Sequence, residues 1–405
     1  WRLLWPLFSP SGRPLEPPRC PKAAFDAKMN QNGTQNGVSL ALSASIDSVY
    51  SATELNKAAW NNTVAGLSGA TPEDFENIVA KLKANILQES VPDLLKLSEA
   101  AEAQGLQLLA DEETVTLGLG VGSKSWPAGQ LPTPEEVDWK SLRNVPIALI
   151  TGTNGKSTVG RLLASIVKTD GKMPGLTSTD CIQVGDEILD VGDYSGPGGA
   201  RAILRDTRVE FGVLESARGG MIRRGLGVTQ AQAGIITNVA EEHLGEYGVR
   251  SLADLIDVKF TIFRPLESSG GTLVLNADDS GLVEYATKLK HPLSWFSLDA
   301  NSPILSEHRK QGGSVCYMDQ GKIFYAQGTS ATFMLNVNEI PFTLNGAAND
   351  AGLQTGDVIT AIGDRKIYRA SDVPSAIQLA RPGDTLLIEY LRSGKPETVP
   401  LKLSP

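Results

Sequence analysis

An apolar run, a glycine turn carrying a lysine and a serine, and an amphipathic stripe follow one another without a break over residues 145–167. No other stretch limits the fold as much. Residues 145–150 are apolar and mostly β-branched or leucine, the pattern of a buried strand. Thr151, Gly152, Thr153, Asn154, Gly155, Lys156, Ser157 and Thr158 come next. Val159, Leu162, Leu163, Ile166 and Val167 then fall on one helical face. Strand, glycine turn and helix start together make an anion cradle, because free backbone N–H groups and the helix dipole point at the ligand. In such a cradle Lys156 reaches the β- and γ-phosphates and the Ser157 hydroxyl sits on Mg²⁺. The bland alternative is a tight turn with a surface lysine. The spacing is also shorter than the usual long phosphate loop, since Ile150 stands where its first glycine would be.

Further apolar runs at 211–214, 234–239 and 272–275 have amphipathic segments between some of them. That alternation predicts an α/β fold, a mostly parallel sheet with helices on its faces. Upstream, 74–87 carries a helical stripe through Phe75, Ile78, Val79, Leu82 and Ile86, with Thr71 as expected cap and Pro72 as first residue. A second helix is expected over 92–104, and a strand-like piece over 114–122. Prolines 127, 132 and 134 mark 123–143 as a linker. The expected plan is therefore a leader (1–37), an N-terminal α/β region (38–122), the linker, a nucleotide-binding central domain (144–346) and a small α+β module (347–405). The chain starts at Trp1, which reads as a fragment or a processed form. The leader is expected to be disordered; a targeting remnant is the alternative reading of Leu3, Leu4, Trp5, Leu7 and Phe8.

A length of 405 residues suits two or three domains. The net charge of −9 argues against a general binder of nucleic acid or anionic membrane. No apolar run reaches the ~18 residues of a membrane span. Three scattered cysteines form no disulfide framework and no cysteine-type zinc site. A cytoplasmic location is the expectation.

Glu215 follows an apolar run and so falls at a strand's carboxyl end, where open α/β sheets hold ligands. It is a candidate Mg²⁺ ligand, or else a solvated charge. His243 lies beyond another strand end, as a functional or a structural histidine. Lys259 falls on a core-facing stripe with Leu252, Leu255, Ile256, Ile262 and Phe263. There it must snorkel, meet a carboxylate, lose its charge or be modified. Asn276 and Asp279 suit ribose or base contacts, or equally a turn. The glycine group at 192–199 reads as a mobile loop near substrate, or as a plain loop.

Taken in order, 151–158 (TGTNGKST), 175–180 (GLTSTD), 213–227 (VLESARGGMIRRGLG), 237–248 (TNVAEEHLGEYG), the segment around Lys259 and 275–279 (LNADD) resemble the Mur ligase central domain, most closely the Mur-like domain of cyanophycin synthetases. The resemblance implies ATP and Mg²⁺ as cofactors. It makes Gly152, Thr153, Asn154, Gly155, Lys156, Ser157 and Thr158, with Asn276 and Asp279, the nucleotide contacts. Ser157, Glu215 and His243 become metal ligands, and Lys259 the lysine that this family carbamylates. Lys156, His243 and Lys259 are the implied catalytic groups. Thr177, Ser178, Thr179 and Arg218 fall on the substrate side. The implied reaction joins a small or peptide-like acyl substrate to an amino acid through an acyl phosphate. Two departures stand out. No stretch before Lys140 accommodates the ATP-grasp domain of a full cyanophycin synthetase. Beyond 340–348 the family's C-terminal ligase domain is not found.

Instead, 347–403 resemble a PDZ domain of the HtrA protease type, carried by AGLQTGDVI (351–359) and RPGDTLLIEYLRSGKPETVPLKL (381–403). A strand over 358–362, a helix over 371–380 and a hairpin pairing 385–391 with 398–403 are expected. Such a domain binds a C-terminal peptide by strand addition. The family's first strands, with the carboxylate-binding loop, have no clear match. The main reading is an ATP-dependent ligase. The others are a nucleotide-binding but catalytically incomplete fusion with a peptide-binding module, and a simple NTPase switch.

Overall fold

The computed structural model describes residues 46–241, 244–337, 351–353, 357–367, 376, 384–392 and 395–402. The chain forms two compact units, Trp1–Leu275 with Gly281–Pro292, and Asn276–Ser280 with Leu293–Pro405. The expected central domain is thus divided between them, and the expected leader at 1–37 lies outside the described residues.

The first unit opens with α1 (Val49–Ser68) and α2 (Phe75–Glu89). They share a small core of Ala52, Leu55, Ala59, Ile78 and Leu82. Asp74 caps α2 in place of the expected Thr71, its carboxylate accepting the Asn77 N–H at 3.1 Å. A carboxylate at the positive end of a helix is favoured there. α3 (Pro92–Ala103) starts at its proline as expected. It packs on an antiparallel sheet of β1 (Leu108–Ala110), β2 (Thr114–Leu117) and β3 (Lys124–Pro127). Residues 123–143, expected as a linker, supply β3 and bury Val137 and Leu142 in one core with Leu94, Leu97 and Val115. Their prolines end a strand and start a 3-10 turn at Pro134–Glu136; apolar residues between them complete a core.

The expected parallel sheet follows. It is built from β4 (Ile147–Thr151), β5 (Pro174–Thr177), β6 (Cys181–Val184), β7 (Glu187–Val191), β8 (Phe211–Glu215), β9 (Ala233–Ile236) and β10 (Thr272–Asn276). Their order is β10-β9-β4-β8-β5-β6-β7. Pairings from β10 through β5 are parallel; β6 and β7 are an antiparallel appendage. Its helices are α4 (Lys156–Thr169), α5 (Pro197–Arg205), α6 (Arg218–Arg224), α7 (Leu252–Lys259), α8 (Phe263–Ser269) and α9 (Ser280–Ala286). Gly160 brings α4 close to the sheet, since a Cβ there would lie 3.3 Å from Leu176 Cδ1. The stripe over 252–266 is not one helix: a 3-10 turn at Phe260–Ile262 separates α7 from α8. Pro265 explains the break, because it has no N–H for the carbonyl four residues back and its ring crowds it.

In the second unit β11 (Leu293–Ser297) runs parallel to β12 (Ser314–Asp319), and β13 (Lys322–Gln327) and β14 (Ser330–Asn336) extend it as an antiparallel meander. α10 (Pro303–Lys310) starts at its own proline. The last module holds β15 (Val358–Ile362), β16 (Arg365–Lys366), β17 (Thr385–Arg392) and β18 (Lys395–Lys402) in the order β16-β15-β17-β18, all antiparallel. Ile362, Ile388, Tyr390 and Leu401 form its core. The expected strand and hairpin are present. The helix expected over 371–380 lies outside the described residues except for Ala376. Among the described residues no helix is long and apolar enough to cross a membrane.

Candidate nucleotide site

β4 runs straight into the glycine turn, and its neighbour β8 places Glu215 opposite Ile150. Turn, helix start and carboxylate therefore gather at the carboxyl end of the sheet. Gly155 precedes α4 with φ of 83°, a left-handed conformation that glycine adopts without strain. No side chain caps α4, so its first N–H groups are left to a ligand. Lys156 Nζ donates to the Thr153 carbonyl at 2.9 Å, within the turn itself.

The turn is held from β9. Thr237 donates its N–H to the Thr151 carbonyl at 3.1 Å and its hydroxyl to the Asn154 carbonyl at 2.6 Å. Asn238 accepts the Thr153 N–H on its backbone carbonyl at 2.9 Å and the Asn154 N–H on Oδ1 at 3.1 Å. A Cβ on Gly152 would stand 1.9 Å from Thr237 Oγ1, so this approach requires glycine. Sequence reasoning assigns no role to Thr237 or Asn238. The available signal is two hydrogen-bonding residues within an otherwise apolar run.

Glu215 is 2% exposed. Ser157 donates its hydroxyl to Glu215 Oε2 at 2.8 Å, and Oε1 is buried without a partner. Burial pushes the Glu215 carboxyl up from its ordinary range, against the Ser157 hydroxyl, the Lys156 charge and the Thr179 N–H, which pull it down. A hydroxyl and a half-satisfied buried carboxylate at a phosphate turn fit a hard cation such as Mg²⁺. Among the described residues there is no group of three or more His, Cys, Asp or Glu side chains that could hold a metal ion.

Thr179 Oγ1 lies 3.4 Å from Ser157 Oγ. The buried Ser178 hydroxyl accepts the N–H groups of Asp180 and Cys181, both at 3.1 Å, and so shapes the turn after β5. Thr177 pairs with Leu214, which by strand alternation puts its side chain on the sheet face opposite Glu215. Its hydroxyl oxygen is also buried without a partner. Arg218 opens α6 and pairs with Glu246 at 2.6 Å. The glycine group at 192–199 is closely packed: the Ser195 carbonyl accepts the Ala217 N–H at 3.0 Å, and a Cβ on Gly199 would lie 2.2 Å from the Tyr194 carbonyl oxygen.

Lys259 ends α7 and is 1% exposed, which removes snorkelling from its alternatives. His243 lies outside the described residues. Asn276 and Asp279 belong to the second unit, where they form a turn. Asn276 Oδ1 accepts the Asp278 N–H at 2.9 Å, and the Asp279 N–H reaches the Asn276 carbonyl at 3.4 Å.

A strand, glycine turn and helix at the carboxyl end of a parallel sheet define a nucleotide-binding α/β protein. More particularly, residues 150–340 match the Mur ligase middle domain, and residues 334–403 match a PDZ domain. The chain is 37% identical over 204 residues to the cyanophycin synthetase of Nostoc sp. (strain PCC 7120), covering 50% of this chain and 22% of the relative. It is 27% identical over 173 residues to the UDP-N-acetylmuramoyl-L-alanyl-D-glutamate–2,6-diaminopimelate ligase of Leptospira borgpetersenii, covering 41% of this chain and 34% of the relative. A solved structure of a ligase of that name is similar at 16% identity and a TM-score of 0.36, over 47% of this chain and 39% of that one. The chain thus spans about a quarter of the length of the cyanophycin synthetases it matches, 22% of the Nostoc protein.

Proposed function

We propose that the chain is an ATP-dependent carboxylate–amine ligase of the Mur type. The observation that carries this reading is the pairing of Ser157 with a buried, half-satisfied Glu215 at the phosphate turn. The turn from Gly152 to Thr158 and the uncapped start of α4 bind the phosphates of ATP. Lys156 neutralises charge on the β- and γ-phosphates. Ser157 and Glu215 hold Mg²⁺, with His243 as a further ligand; the ion, when bound, withdraws charge from the phosphate oxygens. Asn276 and Asp279 are assigned to the nucleoside, and Thr177, Ser178, Thr179 and Arg218 to the acyl substrate. Lys259, already buried, is assigned as a carbamate.

A substrate carboxylate oxygen attacks the γ-phosphorus of ATP, the bond to the β–γ bridging oxygen breaks, and ADP leaves. The amine nitrogen of an amino acid then attacks the acyl carbon. Phosphate leaves, the amine proton goes to solvent, and an amide remains. The chain's residues contribute mainly by positioning and by stabilising charge. We place the protein in the cytoplasm, where ATP is present and the thiols Cys181 and Cys316 stay free.

The test is phosphate release from ATP with and without an acyl substrate and an amine, in the native chain and in Lys156→Ala. Release that requires both substrates and disappears in Lys156→Ala supports the ligase. Release without an acyl substrate replaces it with an NTPase switch. A second reading has its own support: the two family matches overlap at 334–340, where β14 is committed to the meander with β13. A nucleotide-binding core without turnover, joined to a module that takes a C-terminal peptide, would then bind ATP and release no phosphate.

A further inference from the structure

The phosphate turn contains a dipeptide with a chemistry of its own. Asn154 is followed by Gly155, and both are exposed. In such a pair the glycine nitrogen can attack the carbonyl carbon of the asparagine side chain, because no Cβ on the second residue obstructs it. The other Asn-Gly pairs of the chain begin at Asn32, Asn36 and Asn345, outside the described residues.

Three features favour the attack at Asn154. Its hydrogen bonds run through its backbone: the N–H donates to Asn238 Oδ1 at 3.1 Å, and the carbonyl accepts the Thr237 hydroxyl at 2.6 Å and Asn238 Nδ2 at 3.1 Å. The side-chain amide stays in solvent. The Gly155 N–H meets no acceptor among the described residues, and a Cβ on Gly155 would find nothing within 4 Å, so the nitrogen has room around it. Gly155 also directly precedes α4. The positive end of that helix favours a deprotonated nitrogen and the oxyanion formed on attack, for the same reason that it favours phosphate. One feature opposes. Closing the ring turns the Asn154 backbone about its Cα–C bond and pulls the carbonyl away from Thr237 and Asn238.

We propose that Asn154 is a deamidation site that converts the phosphate turn to an acidic form unable to hold nucleotide, and that the grip of Thr237 and Asn238 sets its rate. The Gly155 nitrogen gives its proton to hydroxide and bonds to Asn154 Cγ. The Cγ–Nδ2 bond breaks, and the nitrogen takes a proton from water and leaves as ammonia. Water then opens the succinimide at either carbonyl carbon, to aspartate or isoaspartate. Either product places a carboxylate in a turn that suits phosphate. Isoaspartate also carries the main chain through Cβ and Cγ, so the carbonyl held by Thr237 becomes part of a free carboxylate. A phosphate bound at the Gly155 N–H occupies the attacking nitrogen and slows the reaction. The loss of function rests on the nucleotide reading; the cyclisation does not.

The experiment incubates the full chain in mildly alkaline buffer and follows Asn154 by peptide mass spectrometry, with isoaspartate scored by isoaspartyl methyltransferase labelling. Binding of N-methylanthraniloyl-ATP is measured on the same samples, and the chain in urea gives the unrestrained rate. Asn154 is expected to convert in the folded chain, more slowly than in urea and faster as pH rises, with binding lost in proportion. The analogue with Mg²⁺ slows conversion. Thr237→Val, which keeps the shape and drops the hydroxyl, converts about fivefold faster, the scale of one net hydrogen bond, and Thr237→Ser keeps the native rate. Asn154→Asp binds the analogue about tenfold more weakly, through a like charge beside the phosphates. Circular dichroism checks each variant; if Thr237→Val does not fold, the native chain with and without the analogue decides. An unconverted folded chain when the urea sample is fully converted, full binding by a converted chain, or equal rates in native chain and folded Thr237→Val overturns the proposal. If the fresh chain binds no analogue, the nucleotide reading falls, and the conversion rates alone decide on the deamidation site.

Discussion

The Ser157 hydroxyl donates to one oxygen of Glu215 at 2.8 Å, while the other oxygen of that buried carboxylate has no partner. Burying a half-satisfied carboxylate costs the fold stability. Burial raises its pKa above the ordinary carboxylate range. Between the unfolded value of about 4.3 and the raised folded value, the folded chain holds the extra proton. Stability from this group therefore falls as pH rises through that window and stays lower above it. Glu215→Gln removes the penalty. Above the window the ligand-free variant is expected to melt about 2–4 °C higher than the native chain, and below it the two should converge. Added Mg²⁺ and ATP should raise the melting temperature of the native chain and leave the variant unchanged. Equal ligand shifts in both would remove Glu215 from the metal site.

Gly152 and Thr237 leave no room for a methyl group. In Gly152→Ala the new Cβ would meet Thr237 Oγ1 at 1.9 Å. A loss of about 2 kcal/mol in urea unfolding is expected, with at least a roughly tenfold loss in nucleotide affinity because the turn must move. Adding Thr237→Ala removes the colliding oxygen. The double variant should be less destabilised than the sum of the single changes. Strict additivity would show that the clash is relieved elsewhere.

Arg205 of α5 ties the N-terminal sheet to the parallel-sheet part of the same unit. It donates to the Thr116 hydroxyl at 3.1 Å and the Thr114 carbonyl at 2.9 Å, and it pairs with Asp111. Arg205→Met should cost about 2 kcal/mol through the donors it deletes. Burial pulls the Asp111 pKa up, but Arg205 and the N–H groups of Thr114 and Glu113 together bring it below the ordinary range. The stability this gives is present above the unfolded pKa and is lost as pH falls through the folded one. Urea unfolding between about pH 6 and about pH 3 should show a flatter acid loss in Arg205→Met than in the native chain.

Among the described residues Lys259 is the largest fully buried side chain. If it is a carbamate, ¹³C-labelled bicarbonate will give a carbamate resonance in the native chain that Lys259→Met lacks. Methionine is apolar and close in length, so Lys259→Met should fold, whereas Lys259→Ala should lose about 2–4 kcal/mol to a cavity. A native spectrum without the resonance rules out the carbamate.

The phosphate turn is legible because its signals are contiguous: an apolar run, glycines, and a helical stripe within one short stretch. Glu215 is legible for the same reason, as the polar residue ending an apolar run. α1 is hard to read, because its buried face is made of Ser51, Ala52, Leu55 and Ala59 and gives little contrast with its exposed side. Prolines 127, 132 and 134 suggest a linker, since local breakers say nothing about the core that Val137 and Leu142 join. Lys259 is conspicuous on its stripe, but its distance from solvent depends on the segments folded over it. The hold of Thr237 and Asn238 on the turn joins residues more than eighty positions apart.

By itself the sequence determined the local chemistry: a strand, a glycine turn and a helix start that can cradle phosphate, and a separate small β-rich end. These follow from short-range periodicity and backbone freedom, which a few neighbouring residues settle. Only the tertiary structure decided that Glu215 faces Ser157 with an oxygen to spare, that Lys259 is closed off from solvent, and that Arg218 is matched by Glu246. Those outcomes depend on strand register and on which segments exclude water, both set by contacts between parts of the chain far apart in sequence.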